Sequence, residues 1–233
     1  MLKSTLSFVS ALVLLVLAGA AVQEHGLKRS PKVGDALKYK LKAELEFIGS
    51  GTGTLTGNST ERVLKVEADG SYTVQSETKD MVAEVEGTPL KGKDEAPMQT
   101  TFKANGDVVS LRGEKIGSLE YRISNLNAFR APDKPVKVGD TWVRDIPADA
   151  KTGMVTAKAT FVFEAAEKVG EIDTAKVKYT YVEFVERDAT SADGYFWVSL
   201  SDGSLVKSEL GVKNMPLPNA GIRLNAKITV VKE

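Results

Sequence analysis

The amino-acid sequence predicts an all-β protein with a minor helical part, built as one antiparallel, strongly curved sheet or incomplete barrel of about ten strands. Two observations support this fold class. Apolar and charged residues alternate over Leu37–Phe47, which gives a strand with one dry face and one charged face. Two-residue turn signals also recur along the chain, as at Asp69-Gly70 and Asp202-Gly203. A β-sandwich fits the same pattern and is the alternative.

The remaining strands follow from the same alternation, interrupted by Gly, Pro, Asn and Asp. In chain order they are predicted over Arg62–Ala68, Ser71–Glu77, Met81–Glu86, Thr100–Lys103, Val108–Arg112, Val155–Ala165, Thr174–Glu186, Tyr195–Leu200, Leu205–Val212 and Ile222–Val231. One helix is predicted over Ser118–Asn127, where apolar residues recur with helical spacing, and Ser118 is its predicted N-cap. The glycine-rich stretch Gly49–Gly57 lacks a phosphate-binding motif and is predicted to be a flexible connection between strands.

The N-terminus is predicted to be a signal peptide over residues 1–21. Lys3 precedes an apolar run, Leu6–Leu17, and the small residues Ala18–Ala21 provide a cleavage site for a signal peptidase. The alternative is a membrane anchor, but the apolar run is shorter than the roughly 20 residues that span a bilayer. The sequence therefore predicts an exported protein that is periplasmic or extracellular.

Composition restricts the classes of partner and of cofactor. The chain contains no Cys, so a cysteine-linked lipid, a disulfide and a thiolate metal site are not expected. Its 31 basic and 31 acidic residues give a net charge of +0, which argues against a nucleic-acid partner. Residues 22–30 are predicted to be a flexible tether and residues 31–233 a single β-rich domain, with no integral membrane segment after cleavage. The oligomeric state is left open.

An internal repeat is visible within this domain. The segment Pro31–Asp35, with the sequence PKVGD, recurs as VKVGD over Val136–Asp140, and each copy precedes a strand. Each half also ends in a hairpin that has Gly in its turn. These matches predict pseudo-repeats over about 31–130 and 131–233, with shared turn chemistry as the alternative explanation.

The sequence offers little for catalysis. His25 is the only histidine and lies in the predicted tether, which argues against a His-based triad or a zinc site. Glu44 and Glu46, like Glu84 and Glu86, form pairs of carboxylates that could serve a hydrolase. Because these acids alternate with apolar residues, they are predicted to lie on a solvated face. We therefore expect no enzyme activity and no cofactor.

Aromatic residues provide the candidate binding residues. Trp142, Tyr179, Tyr181 and Trp197 all lie in strand-like segments of the second half. Aromatic side chains fill protein cores, but they also line apolar ligand pockets. The four residues are therefore predicted either to pack in the core or to line a groove for an apolar small molecule or a lipid.

One stretch resembles a known family. Residues Phe129–Trp142 carry the pattern P-x-x-P-V-x-V-G-D-x-W, which resembles a signature of uncharacterised exported bacterial β-proteins. The aromatic hairpin Tyr195–Leu210 similarly resembles the closing hairpin of lipoprotein and lipid carriers of the LolA, LolB and LppX type. The resemblance implies an incomplete barrel with a dry concave face and a helical lid. Within the signature, Val138 is expected to pack, Gly139-Asp140 to form a turn and Trp142 to enter the core.

Three functions remain open from the sequence. The first is a non-enzymatic exported protein that binds an apolar ligand in a groove of the sheet. The second is a structural protein of the cell envelope, and the third is a carboxylate-based hydrolase. An apolar cavity would favour the first, a filled core the second, and two convergent acids in a cleft the third.

Overall fold

The computed structural model describes residues 23–49, 51–91, 94–187, 189–216 and 223–233. The predicted signal peptide lies outside the described residues. Within them the strands are β1 (Ala36–Phe47), β2 (Gly51–Val66), β3 (Tyr72–Val85), β4 (Thr88–Lys91), β5 (Met98–Phe102), β6 (Val108–Arg112), β7 (Thr141–Ile146), β8 (Ala157–Val169), β9 (Ile172–Glu183), β10 (Ser191–Ser199), β11 (Leu205–Pro216) and β12 (Arg223–Lys232). The helix is α1 (Ser118–Asn127). No helix among the described residues is long and apolar enough to cross a membrane.

The strands form one antiparallel sheet, which confirms the predicted all-β class. Its order is β6-β5-β3-β2-β1-β12-β11-β10-β9-β8-β7, and β4 adds to β3 off this path. Two meanders, β1 to β6 and β7 to β11, are joined by β12, which pairs with both β11 and β1. Because the Tyr39 hydroxyl of β1 reaches the Leu205 carbonyl of β11 at 3.2 Å, the sheet curves inward across β12. The sheet stays open between β6 and β7, so the molecule is an incomplete barrel rather than a sandwich.

Strand β2 differs from the prediction. It begins at Gly51 and runs through the glycine-rich stretch that was expected to be a flexible connection. Pairing with β1 on one side and β3 on the other satisfies its backbone and outweighs the low strand propensity of glycine. Gly53 also permits close packing, since a Cβ there would lie 2.7 Å from the Glu84 carbonyl oxygen.

The main core lies on the inward face of the second meander and of β12. Its buried side chains include Phe161, Phe163, Val177, Tyr179, Phe196, Val198, Leu210, Val212 and Leu224. The helix α1 and the chain that follows it cover this face, and Leu126 and Phe129 pack against the strands. The helix bounds match the prediction, but the N-cap is Gly117 rather than Ser118. The Gly117 amide donates to Glu120 Oε2 at 2.7 Å, so an acid of the first turn satisfies the helix start.

The two VGD segments form the same turn, as the repeat predicts. In each, the aspartate carboxylate accepts a hydrogen bond from the lysine amide three residues earlier, at 2.7 Å for Asp35 and 3.0 Å for Asp140. The glycine and aspartate then exchange backbone hydrogen bonds with Val63 of β2 in the first copy and Phe163 of β8 in the second. A β-bulge follows at both places. The matched hydrogen bonds support a structural repeat, whereas descent by duplication stays a prediction.

The segments that precede these turns dock crosswise. The first leader, which we define as residues 25–30, packs on the β10–β11 hairpin of the other half, where the Ser30 amide donates to the Asp202 carbonyl at 2.9 Å. The second leader, residues 128–131, packs on the β5–β6 hairpin, where the Ala131 amide donates to the Asn105 carbonyl at 2.8 Å. Each half therefore anchors the entry segment of the other.

This docking corrects the predicted flexible tether. Leu27 is 1% exposed and belongs to the main core, while His25 forms a β-bridge with Val136. The His25 ring also contacts the ring of Phe163 at 5.9 Å. The segment is not a regular helix or strand, so its apolar residues do not recur with a fixed spacing. It is held by individual contacts instead, which is why the sequence pattern did not predict its docking.

Gly203 and Gly170 provide a matched test of the crosswise docking. Both have positive φ, but a Cβ at Gly203 would lie 2.4 Å from the Lys28 carbonyl oxygen, whereas a Cβ at Gly170 would meet nothing within 4 Å. We expect Gly170→Ala to cost about 1–2 kcal/mol for the left-handed backbone alone. Gly203→Ala should cost about 1–3 kcal/mol more, because the first leader must shift. Urea unfolding of both variants measures the difference, and equal midpoints would contradict the tight docking.

Candidate ligand-binding groove

A cavity of about 570 Å³ lies on the charged face of the sheet and crosses six strands, from β3 to β10. Its lining residues are Glu44, Leu45, Glu46, Thr52, Gly53, Thr54, Glu84, Glu86, Gly87, Asp193, Gly211, Val212, Lys213, Asn225, Ala226 and Lys227. We call this cavity the outer groove. Its volume falls within the roughly 300–1,000 Å³ of known ligand pockets.

The strand register explains the shape of the outer groove. Directly paired residues form one row across six strands, in the order Glu84, Thr54, Glu44, Lys227, Gly211 and Asp193. A second row runs beside it and contains Thr52, Glu46 and Asn225. At about 4.8 Å between neighbouring strands, the first row is roughly 24 Å long. The groove therefore runs across the strands and suits an elongated molecule.

The floor of the outer groove is largely backbone. Val212 lies between two outward positions, Gly211 and Lys213, and its own side chain belongs to the core. Gly211 faces outward, because a Cβ there would approach only Asp193, at 3.7 Å from its carbonyl oxygen. The missing side chain at Gly211 leaves the middle of the groove open.

Several acids of the outer groove are held in place. Glu86 Oε1 accepts a hydrogen bond from the Thr52 amide at 3.1 Å, and Glu46 Oε2 accepts one from Asn225 Nδ2 at 2.9 Å. The lining contains five carboxylates and two lysines, a net charge of −3. Four of the five acids lie on β1, at the end of β3 or directly after it, so this part of the groove is the negative one.

Glu44, Glu46, Glu84 and Glu86 all lie in this groove. They are exposed on the outward face, as the alternation predicts. The sequence did not predict that Glu44 and Glu84, two strands apart, would share a row. The sequence does show that each of the two segments has a pair of acids two residues apart. Predicting that the two pairs lie side by side also requires the register between the strands. Among the described residues, no group of three or more His, Asp or Glu is placed to hold a metal ion.

The aromatic residues predicted to line a groove do not share one. Tyr179 and Tyr181 are 0% and 1% exposed, on the inward face beneath the helix. The Tyr179 hydroxyl donates to the Leu126 carbonyl at 2.7 Å, which satisfies its polar end. Burial raises the pKa of both tyrosines well above the ordinary value. Both residues serve the packed core in this structure.

The two tryptophans lie on opposite faces. Trp142 is half-buried on the inward face, where its ring stacks on Phe161 at 5.3 Å, so its predicted entry into the core is confirmed. Trp197 faces outward and is covered by Lys176 and Lys207, whose ammonium groups lie 5.5 and 4.6 Å from the ring centroid. Phe196 and Trp197 are successive residues of β10, so their side chains point to opposite faces of the sheet. Phe196 is the one that packs in the core. The prediction of one groove lined by all four aromatic residues is therefore wrong.

The signature segment is structural. Gly139 has φ of +96° and forms the predicted turn with Asp140. Val138, which was expected to pack, is instead 52% exposed, because the turn directs it to solvent. Val136, two residues earlier, is the buried valine of the motif.

Comparisons with known proteins give structural likeness only. No family model matches the chain, and no curated protein matches it. A solved structure from Bacteroides fragilis, named as exported and with a YmcC-like fold, is 14% identical, covers 87% of this chain and 97% of its own, and has a TM-score of 0.35. A protein from Parabacteroides distasonis named as a lipoprotein is 16% identical, covers 90% of this chain and 97% of its own, and has a TM-score of 0.34.

Proposed function

We propose that this protein is exported and non-enzymatic, and that it binds an elongated ligand in the outer groove. The observation that carries the proposal is the cavity of about 570 Å³ that crosses six strands of the sheet. An open floor at Gly211 and a length of roughly 24 Å suit a chain-like ligand body. The signal-like N-terminus and the absence of Cys support export without lipid attachment.

The ligand class follows from the lining. Backbone, glycine and the aliphatic stems of Glu and Lys provide contact area for an apolar ligand body. The net charge of −3 among the lining side chains favours a positively charged group, held near Glu84 and Glu86, since Glu44 is already paired with Lys42 at 3.2 Å. The proposed ligand is therefore a cationic amphiphile, whereas the sequence predicted an apolar small molecule or a lipid.

Binding of ten-carbon probes tests both parts of the proposal. We expect decylammonium, followed by calorimetry below its micelle concentration, to bind more tightly than decanol and much more tightly than decanoate. A difference of about tenfold between the cation and the alcohol corresponds to about 1.4 kcal/mol. Equal affinity for decanoate would contradict the proposed charge preference.

Gly211→Leu tests the position of the site. The new side chain has room, since a Cβ there makes only ordinary contacts, so the fold should retain its stability. We expect decylammonium to bind at least about tenfold more weakly, because the side chain fills the floor. Thr180→Leu is the matched control, since Thr180 is exposed in the same cross-strand row one strand beyond Asp193. Unchanged affinity in Gly211→Leu would place binding elsewhere.

A further inference from the structure

A second cavity, of about 130 Å³, lies inside the curved sheet, where the two leaders meet the two hairpins that hold them. We call it the inner cavity. Residues of both leaders and of both hairpins line it, among them Arg29, Asn105, Phe129 and Leu205. None of these residues lines the outer groove.

The crosswise docking explains why space remains here. Each hairpin presents a glycine with positive φ, Gly106 or Gly203, against the backbone of a leader. At these two positions the turns have no side chain to fill the space between the halves. The inner cavity also lies between two separate apolar clusters. One is the main core, and the other consists of Val63, Tyr72 and Val74.

Four aromatic residues border the inner cavity. Tyr72 and Phe102 come from the first half and stack at 5.3 Å. Phe129 of the second leader and Phe196 of β10 meet edge to face at 5.7 Å. Aromatic rings are favourable neighbours for another flat ring, either stacked or edge to face.

One end of the inner cavity is polar but has no net charge. Arg29 Nη1 lies 2.5 Å from Glu61 Oε1, and the guanidinium carbon lies 5.3 Å from the Tyr72 ring centroid. The opposite charges of Arg29 and Glu61 neutralise each other. An ion that entered the cavity would therefore lose its hydration without gaining an opposite charge to bind. A neutral hydroxyl, by contrast, can form a hydrogen bond at the same end.

We propose that the inner cavity binds one small neutral aromatic molecule that carries a single hydrogen-bonding group, such as a phenol. The volume limits the occupant to about one six-membered ring, since an apolar cavity of about 150 Å³ in another protein holds benzene. The exposed residue Asn127 places the opening of the cavity at the end of the helix. This proposal stands apart from the outer groove and does not depend on it.

Phenol itself is the probe for the test. Amide spectra of the ¹⁵N-labelled protein should show saturable shifts at residues of the inner cavity, with a dissociation constant on the order of 1 mM for seven heavy atoms. Benzoate and benzylammonium should bind at least about tenfold more weakly. Absence of saturable shifts, shifts confined to other regions, or equal binding of either ion would overturn the proposal.

A filling variant locates the site and controls for general effects. Leu205 is half-buried and lines the cavity, so Leu205→Phe should occupy part of the volume and weaken phenol binding at least about tenfold. Leu200→Phe makes the same change at a half-buried position outside the cavity and should bind phenol as the parent does. If Leu205→Phe does not fold, the comparison of phenol with the two ions on the parent still decides. Unchanged phenol affinity in a folded Leu205→Phe would overturn the proposal.

Discussion

Replacing Arg130 with alanine is expected to destabilise the protein by about 3–5 kcal/mol, because it removes several hydrogen bonds of a buried charged group, each worth about 1.5–3 kcal/mol. Arg130 is 1% exposed. Its Nη1 donates to the Asn125 carbonyl at 2.8 Å, and its Nε lies 3.2 Å from Asp107 Oδ1. The substitution removes the guanidinium from the Asn125 carbonyl and from Asp107, and it leaves the second leader held to the β5–β6 hairpin by the backbone bond from Ala131 to Asn105. Urea unfolding followed by circular dichroism measures the loss.

Arg29 supplies the matched comparison. It occupies the same place in the first leader, directly before the residue whose amide bonds to the opposite hairpin. Its side chain is 15% exposed, and its partner Glu61 is 22% exposed. Asp107, at 33%, is more exposed than Glu61, so the difference lies in the buried Arg130 guanidinium, which also donates to the carbonyls of Asn125 and Ala128. Arg29→Ala should therefore cost less than Arg130→Ala. An equal or smaller loss for Arg130→Ala would contradict the role assigned to the buried guanidinium.

Replacing Trp142 with alanine is expected to cost about 3 kcal/mol, the lower end for removal of a large aromatic side chain. The ring stacks on Phe161 and meets Phe129 edge to face at 6.3 Å. Its indole Nε1 also donates to the Arg130 carbonyl at 2.7 Å, which ties β7 to the second leader. Urea unfolding measures the cost through the shift of the midpoint.

Two further variants separate the contributions of Trp142. Trp142→Phe keeps a ring but removes the donor, so it should cost about 1 kcal/mol for the lost hydrogen bond. Lys40→Ala lies on the exposed outward face of β1 and should change stability by less than about 0.5 kcal/mol. A Trp142→Ala midpoint equal to that of the parent would show that the ring adds nothing to the core.

Arg130 and Trp142 both help to hold the open sheet together. The strands β6 and β7 do not pair, and the chain between them closes this gap through side chains. Arg130 binds Asp107 at the β5–β6 hairpin, and Trp142 of β7 binds the carbonyl of Arg130. The second leader thus replaces the hydrogen bonds that a closed barrel would have at this position.

Local patterns in the sequence determined the strands and their faces. The alternation over Leu37–Phe47 placed Glu44 and Glu46 on the outward face, where the structure has them. The repeated VGD segments predicted two equivalent turns, and helical spacing gave the bounds of α1. These features follow from interactions within a few residues, which is why a single sequence contains them.

Only the tertiary structure decided which faces and segments meet. Trp197 faces away from Tyr179 because Tyr179 pairs with Gly194 of β10, a register that no local pattern specifies. The outer groove exists because β12 pairs with β1, a strand far away in the sequence. This pairing places Glu44 opposite Lys227. The inner cavity likewise depends on each leader crossing to the opposite half. Strand alternation has a period of two residues and is set locally, whereas register and docking depend on contacts between distant residues, which only the folded chain brings together.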